Sequence, residues 1–506
     1  MNKVKQQFIK DFEESNNKVD LTFDVSQLEP NVTNEMKIKN RKKVRNRIIL
    51  SFTAIVCLAI VAIPLSQLLE IDTSFGTAKR TLSANAIAIA ESNSFKKLNN
   101  VKYPESERPT FMDVSDNEMS AYTNFANATY HSLVNTSKVD NMSYGTIGLY
   151  SIMNDLYGAI SREDLQNRFN DLLGLNENSR KDFYRKVIYA NSYVNKESST
   201  QIKNAAFFNN KYMYADDYIN KLTSLYCEAY QLDFNTNASK MVEWVNEAVD
   251  SKGFIDEKFL GVTDNTQLYL FSTLYFKNAW SNKFLSENNV KDKFYLSSGV
   301  TEATYMCHSY IIDRYYDYGK YISVKDYYDS GFASVTYIIP KSVNDNIFEL
   351  TKDVNIFSEQ KNKEVRIKED YSGYNGEIYY RDIKVNLKTP KFNNSSEIDF
   401  SSCLENLGFS DIYDNHYDSF HNAFDWDSTD EIRFCLSTMK QKNQTEFNED
   451  GAIIKSLSMA SLDDKAAPIS PNMDEIDVTL NQPFIYIIRD CNNVPIFVGH
   501  VDNPNL

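Results

Sequence analysis

The chain has 506 residues, 42% of them hydrophobic, and a formal net charge of -15. That is enough apolar material for one large core or two smaller ones, and the acidic balance argues against a nucleic-acid partner, which needs clustered Lys and Arg on the folded part. Only 15 glycines are present, with no P-loop, no His-Glu-x-x-His and no Cys-x-x-Cys, so phosphate-loop and zinc-protease chemistry find no footing.

Residues 1–47 are polar and end in a basic run, Lys37 to Arg47, without a single acid. They read as a short disordered cytoplasmic tail. Residues 48–69 carry no charge, a run longer than the roughly 18 residues that mark a membrane span. Basic residues on its N-terminal side place the N-terminus in the cytoplasm and the downstream domain outside the cell. A cleaved signal peptide is the competing reading; it is opposed by the long region in front and by an apolar core longer than usual. Residues 70–115, with a polar stretch between Pro104 and Pro109, read as an extracellular stalk. Residues 116–506 form the folded domain. Its first helix is marked by Ala121, Phe125, Ala128 and Leu133, with Asp116 or Asn117 as cap.

The cysteines, Cys57, Cys227, Cys307, Cys403, Cys435 and Cys491, have irregular spacings that match no zinc pattern. They read as buried reduced thiols, with one disulfide left open. The five histidines, His131, His308, His416, His421 and His500, sit in no nucleophile motif. No catalytic residue, metal site or cofactor is expected, and the chain is not expected to be an enzyme.

At the end of the chain, Phe484 to Asp490 and Pro495 to Val501 are two apolar, β-branched and aromatic runs joined by a polar turn at Asp490 to Asn493. They predict a buried β-hairpin. Together with Asn481-Gln482-Pro483 before and Asn503-Pro504 after, this stretch resembles the C-terminal signature of the serpins. The resemblance extends in family order over about three quarters of the chain. It takes in Ser120 to Ala126, Asn204 to Phe208, Val242 to Asn246 with Gly253 to Ile255, Leu274 to Trp280 with Phe284, Phe332 to Pro340 and Val385 to Phe392. The resemblance implies an α+β fold: a large central mixed β-sheet, two further sheets, about nine helices around them, and an exposed reactive-centre loop near the C-terminus.

Phe447-Asn448-Glu449-Asp450-Gly451 resembles the family's hinge, with Ala452 and Ile454 continuing it. The resemblance then implies an exposed bait loop over residues 451–473. A target protease cleaves such a loop, and its N-terminal half inserts into the central sheet as an extra strand, dragging the acylated enzyme along. Alternation in a strand separates Ala452, Ile454, Ser456, Ser458, Ala460 and Leu462 from Ile453, Lys455, Leu457, Met459 and Ser461. The first set is largely small and is the inward set in the family, which prefers Ala where Ile454 stands.

Counting from Gly451 puts the reactive bond at Lys465–Ala466, which suits a protease with an acidic primary pocket; cuts after Leu462 or Met459, or a plain solvated tip at Asp463-Asp464-Lys465, are also open. Where the family opens its sheet, this chain has Tyr144-Gly145-Thr146-Ile147, Ser272 and Gln441 near the matched Trp280, and Gln441 and Ser272 can still bond each other. The expected function is therefore a membrane-anchored inhibitor of serine or cysteine proteases. The alternative is a non-inhibitory surface binding module.

Overall fold

The computed structural model describes residues 95–137, 141–312, 315–328, 331–358, 364–365, 371–372, 378–379, 383–425, 432–454 and 474–506, with the backbone alone at 364–365, 371–372, 378–379 and 453–454. The apolar run 48–69 and the reactive bond expected at Lys465–Ala466 lie outside the described residues. Among the described residues no helix is long and apolar enough to cross a membrane.

Three main sheets share the chain. The central sheet has eight strands in the order β1 (Lys96–Lys97), β5 (Cys227–Leu232), β4 (Ser199–Asn209), β6 (Leu268–Ala279), β18 (Gly451–Ile454), β17 (Lys440–Asn448) and β16 (Phe392–Asp399), with β3 (Ser192–Val194) pairing β4. It is mixed: β4 and β5 run parallel, while β4–β6, β6–β18, β18–β17 and β17–β16 are antiparallel.

A second sheet orders β12 (Glu364–Val365), β9 (Tyr315–Asp317), β10 (Tyr321–Tyr328), β11 (Ala333–Pro340), β20 (Phe484–Asp490), β21 (Pro495–Val501) and β2 (Ser143–Tyr144). The third orders β19 (Asp474–Thr479), β15 (Ile383–Pro390), β8 (Gly299–Ile312) and β7 (Val290–Leu296). A two-stranded ribbon joins β13 (Tyr371–Ser372) to β14 (Ile378–Tyr379).

The terminal hairpin is the expected one. Every residue of β20 and β21 is buried, because both faces of this sheet are covered and continuous apolar runs are what such strands need. Its turn closes through Asn493, at positive φ, and the Asp490 carboxylate accepts from the Asn492 and Val494 amides at 2.9 and 3.0 Å.

Nine α-helices are present among the described residues. The first, α1 (Asp116–Thr136), begins with Ser115 as cap, in a capping box with Glu118. The cap is thus one residue earlier than the sequence reading, because the Ser115 hydroxyl and the Glu118 carboxylate satisfy each other's backbone N–H. Helix α2 (Thr146–Ala159) is buried almost throughout, and α3 (Glu163–Leu173), α4 (Glu177–Ala190) and α5 (Asp216–Ser224) come next in the chain. On the opposite face of the central sheet, α6 (Phe234–Ala248) and α7 (Glu257–Leu260) close a second apolar cluster with Phe207, Tyr230 and Phe271. Two short helices, α8 (Ile347–Thr351) and α9 (Ser401–Asn406), complete the set.

One of the two compact units into which the chain divides spans Ser92–Leu506. Residues from Phe95 onward, expected as the end of a stalk, lie on the domain instead: β1 pairs β5, Asn99 bonds Cys227 and Ala229, and the Tyr103 hydroxyl donates to the Tyr226 carbonyl at 2.6 Å. Their polarity satisfies a sheet edge, which composition alone does not distinguish from solvation.

Candidate functional site: a seated hinge above an open slot

Strand β17 reverses at Glu449–Asp450, where the Asn448 side chain accepts from the Asp450 amide at 2.9 Å. The chain then re-enters the sheet as β18. Its register is Gly451 to Ala279, Ala452 to Asn278, Ile453 to Lys277 and Ile454 to Phe276 on one side, and Gly451 to Asn448, Ala452 to Phe447 and Ile453 to Glu446 on the other. The sequence reading placed Gly451 at the start of an exposed loop. In the structure the first four residues are already a strand between β6 and β17. The next described strand, β19, begins at Asp474 and pairs in parallel with β15.

Three contacts hold this hinge. Gly451 lies so close to β6 that a Cβ would collide with the Asn278 carbonyl oxygen. Ala452 is fully buried beside Asn278, whose side chain donates to Thr200 Oγ1 at 3.0 Å and accepts from the Tyr193 hydroxyl at 2.6 Å. The Trp280 indole N–H donates to the Asn448 carbonyl at 2.8 Å, while its ring stacks on Tyr328 at 4.5 Å. The partners of the hinge are therefore Asn278 of β6, Trp280 just after β6 and Asn448 of β17.

Glu449 adds a charged tie. Lys391 Nζ lies 2.9 Å from its Oε2, and the Asn289 amide donates to Oε1 at 2.5 Å. Burial pushes the Glu449 carboxyl up, but the Lys391 ammonium and the Asn289 amide outweigh it and leave it below the usual carboxylate range. Asp450 is exposed at the turn. Lys391 and Asn289 were not singled out in the sequence; Lys391 stands inside the matched stretch Val385 to Phe392, but nothing local tells that it faces Glu449.

Among the described residues the pairing of β18 ends at Ile454. Leu270, Ser272 and Leu274 of β6 face Gln441 and Asn443 of β17 across a cavity of about 130 Å³ that reaches Gly148 of α2. Gln441 does not bond Ser272. Its Oε1 accepts from the Gly145 amide at 2.8 Å and its Nε2 donates to the Gly145 carbonyl at 3.0 Å. Asn443 Nδ2 donates to the Ser143 carbonyl at 2.8 Å. Ser272 Oγ is buried without a hydrogen-bond partner. Glycine at 145 and 148 lets α2 lie this near: a Cβ at either would come within 3.1 Å of Gln441 Nε2. The sequence-predicted residues Ser272, Trp280 and Gln441 thus all line one seam, with Trp280 at its closed end and the other two at its open part.

Cys227, Cys307, Cys403, Cys435 and Cys491 are all free, which leaves no disulfide among the described cysteines. Among the described residues no group of His, Cys, Asp and Glu is arranged to hold a metal ion.

The three-sheet α+β architecture, with β18 seated at one end of the central sheet, is that of the serpin fold. A family model for "Serpin (serine protease inhibitor)" matches residues 120–504, and the chain belongs to the serpin family. Among curated relatives, Serpin-ZXA of Oryza sativa subsp. japonica is 28% identical over 290 residues, covering 55% of this chain and 67% of the relative. Iripin-5 of Ixodes ricinus is 22% identical over 381 residues, covering 73% and 90%. Among solved structures, the thermophilic serpin tengpin in its native state has a TM-score of 0.61 at 18% identity, covering 80% of this chain and 97% of tengpin. Native protease nexin-1 with heparin has a TM-score of 0.60 at 18% identity, covering 77% and 100%. The family and fold support the protease-inhibitor class in general, a class whose members target proteases and are not catalytic enzymes.

Proposed function

We propose that this protein is a trapping inhibitor of serine or cysteine proteases, in which cleavage of the loop over residues 451–473 lets its N-terminal part continue β18 down the slot. One observation carries the reading: the seated hinge has a register that runs on into the gap. Residue 454 pairs with 276 on β6, so four further residues bring Ser458 opposite Ser272. On β17, 453 pairs with 446, so five further residues bring Ser458 opposite Gln441. Alternation keeps Ile454, Ser456, Ser458 and Ala460 on the same face as buried Ala452. A small hydroxyl would thus arrive beside the one slot hydroxyl that lacks a partner. Each added ladder hydrogen bond contributes about 1 kcal/mol net, and a strand's worth of them rivals the roughly 5–15 kcal/mol that stabilises a protease domain.

Lys465–Ala466 is the proposed reactive bond, and its lysine suits an enzyme with an acidic primary pocket. The test is incubation with trypsin-like and other serine and cysteine proteases, followed by denaturing gels and mass spectrometry of the loop. The expected result is a covalent complex with an enzyme acylated at Lys465. Cleavage without any covalent complex for every enzyme tried contradicts the reading.

The alternative is a non-inhibitory surface module, the outcome if entry of the residues after Ile454 is slow enough to release the protease. We further propose that residues 48–69 anchor the protein in the cell membrane as a single span, with the N-terminus cytoplasmic and the domain extracellular, as the uncharged run and the basic residues before it support. Digestion of intact cells with an external protease is expected to remove the domain and to spare residues 1–47.

A further inference from the structure

Lys442, on β17, stands at the edge of the slot. Alternation along the strand turns Gln441 and Asn443 under the sheet, toward Gly145 and Ser143, and leaves Lys440, Lys442 and Gln444 on the outer face. The ammonium of Lys442 lies over two aromatic rings, 5.8 Å from the centre of Phe254 and 5.9 Å from that of Phe259. Both rings belong to the chain between α6 and β6. They are half-buried, while Lys252, Gly253 and Asp256 to Lys258 around them are exposed.

The rings meet Lys442 across the seam. Their segment, residues 249–261, is fastened on the α6 and β6 side. The Ser251 amide donates to the Asn246 carbonyl at 2.8 Å. Asn246 Nδ2 donates to the Ile255 carbonyl at 3.2 Å, and its Oδ1 accepts from the Ile255 amide at 3.0 Å. The Tyr269 hydroxyl donates to the Leu260 carbonyl at 2.7 Å, and Ile255 and Leu260 are buried in one apolar cluster with Phe207. Left-handed backbone at Asp250, Gly253 and Gly261 sets the segment off from α6 and β6.

Val249, Phe254, Ile255 and Phe259 line the slot cavity from this face, as Gly145 and Gly148 line it from α2. The segment is therefore a cover. Hydrogen bonds fix it to one half of the sheet, and the cation–aromatic contact joins it to the other. A lysine suits that second attachment. The faces of aromatic rings attract an ammonium, and because Lys442 is only half-buried its charge returns to water when the contact opens. The attachment is thus one that opens without stranding a buried charge.

We propose that Lys442 is the positioning residue of this cover: its ammonium, over the rings of Phe254 and Phe259, latches residues 249–261 across the seam, and the latch releases when the cover lifts from β17. Its purpose, restricting the entry of a strand into the slot, rests on the proposed function. The latch itself belongs to the uncut protein and is measured there.

Amide hydrogen exchange of residues 251–261 in the intact, uncut protein tests it. Local opening of the cover breaks the latch along with the hydrogen bonds to Asn246, so the latch contributes to the exchange rate of the Ile255 amide. Lys442→Met keeps an unbranched apolar stem and removes the charge. It is expected to speed that exchange about two- to fivefold, the scale of one cation–aromatic contact at a partly exposed site. Lys442→Arg keeps a cation over the rings and is expected to hold the unaltered rate. Phe254→Leu with Phe259→Leu keeps apolar bulk and removes both ring faces; in that background, adding Lys442→Met is expected to change nothing further. No acceleration in Lys442→Met, equal acceleration in Lys442→Arg, or the full effect of Lys442→Met in the Phe254→Leu, Phe259→Leu background overturns the latch. So does an equal acceleration in the terminal hairpin, residues 484–501, which marks general loosening. Failure of loop insertion shows instead in the thermal midpoint of the nicked protein and leaves this readout intact.

Discussion

Gly451 decides where the loop becomes a strand. Its closeness to the Asn278 carbonyl leaves no room for a Cβ, so Gly451→Ala is expected to unseat the hinge. A destabilisation of about 1–3 kcal/mol is the expected cost, read by chemical denaturation, together with faster exchange of the 451–453 amides. Glu449 sets a second, pH-dependent tie. Its folded-state carboxyl sits below the usual range, so the stability it contributes is full above the unfolded value, near 4.3, and is lost as pH falls through the depressed folded value. The stability gap between the unaltered chain and Lys391→Met is therefore expected at pH 6 and should close below about pH 4. A gap that persists in acid would show that Lys391 acts through packing of its stem rather than charge.

At the scale of elements, the seam between β6 and β17 is held from beneath by α2, and its polar groups divide into satisfied and unsatisfied. Gln441 closes both backbone bonds of buried Gly145, so Gln441→Ala is expected to cost about 1–3 kcal/mol by leaving them unpaired. Ser272 Oγ has no partner, and Ser272→Ala is expected to stabilise the uncut protein by about 1 kcal/mol. Denaturant midpoints check both, and a destabilised Ser272→Ala would mean that the hydroxyl is engaged in solution.

The same elements show what local sequence can tell. The hairpin β20–β21 was legible because continuous apolar runs around a polar turn are a property of neighbouring residues, and the hinge and Trp280 were legible through resemblance. Three features were not. The pairing of Glu449 with Lys391 spans 58 residues and depends on the register of β16 against β17. The seating of residues 451–454 depends on a gap between two other strands. The docking of residues 95–113 depends on an edge that those residues complete, while their composition reads as linker.

At the scale of the whole molecule, the described strands leave one seam of the central sheet unpaired, between β6 and β17 beyond β18. The central sheet pairs from β1 to β6 and from β17 to β16, and among the described residues β18 joins the two halves at one end. On the proposed function, cutting the loop frees residues 455 onward to extend β18. The decisive measurement is the thermal midpoint of the protein after its loop has been nicked between Leu462 and Ala466, compared with the uncut protein under identical conditions. Insertion predicts a rise of at least about 10 °C, the scale expected from several kcal/mol of new sheet pairing. A midpoint unchanged by the nick would contradict it, and the slot would then be a feature of a static scaffold.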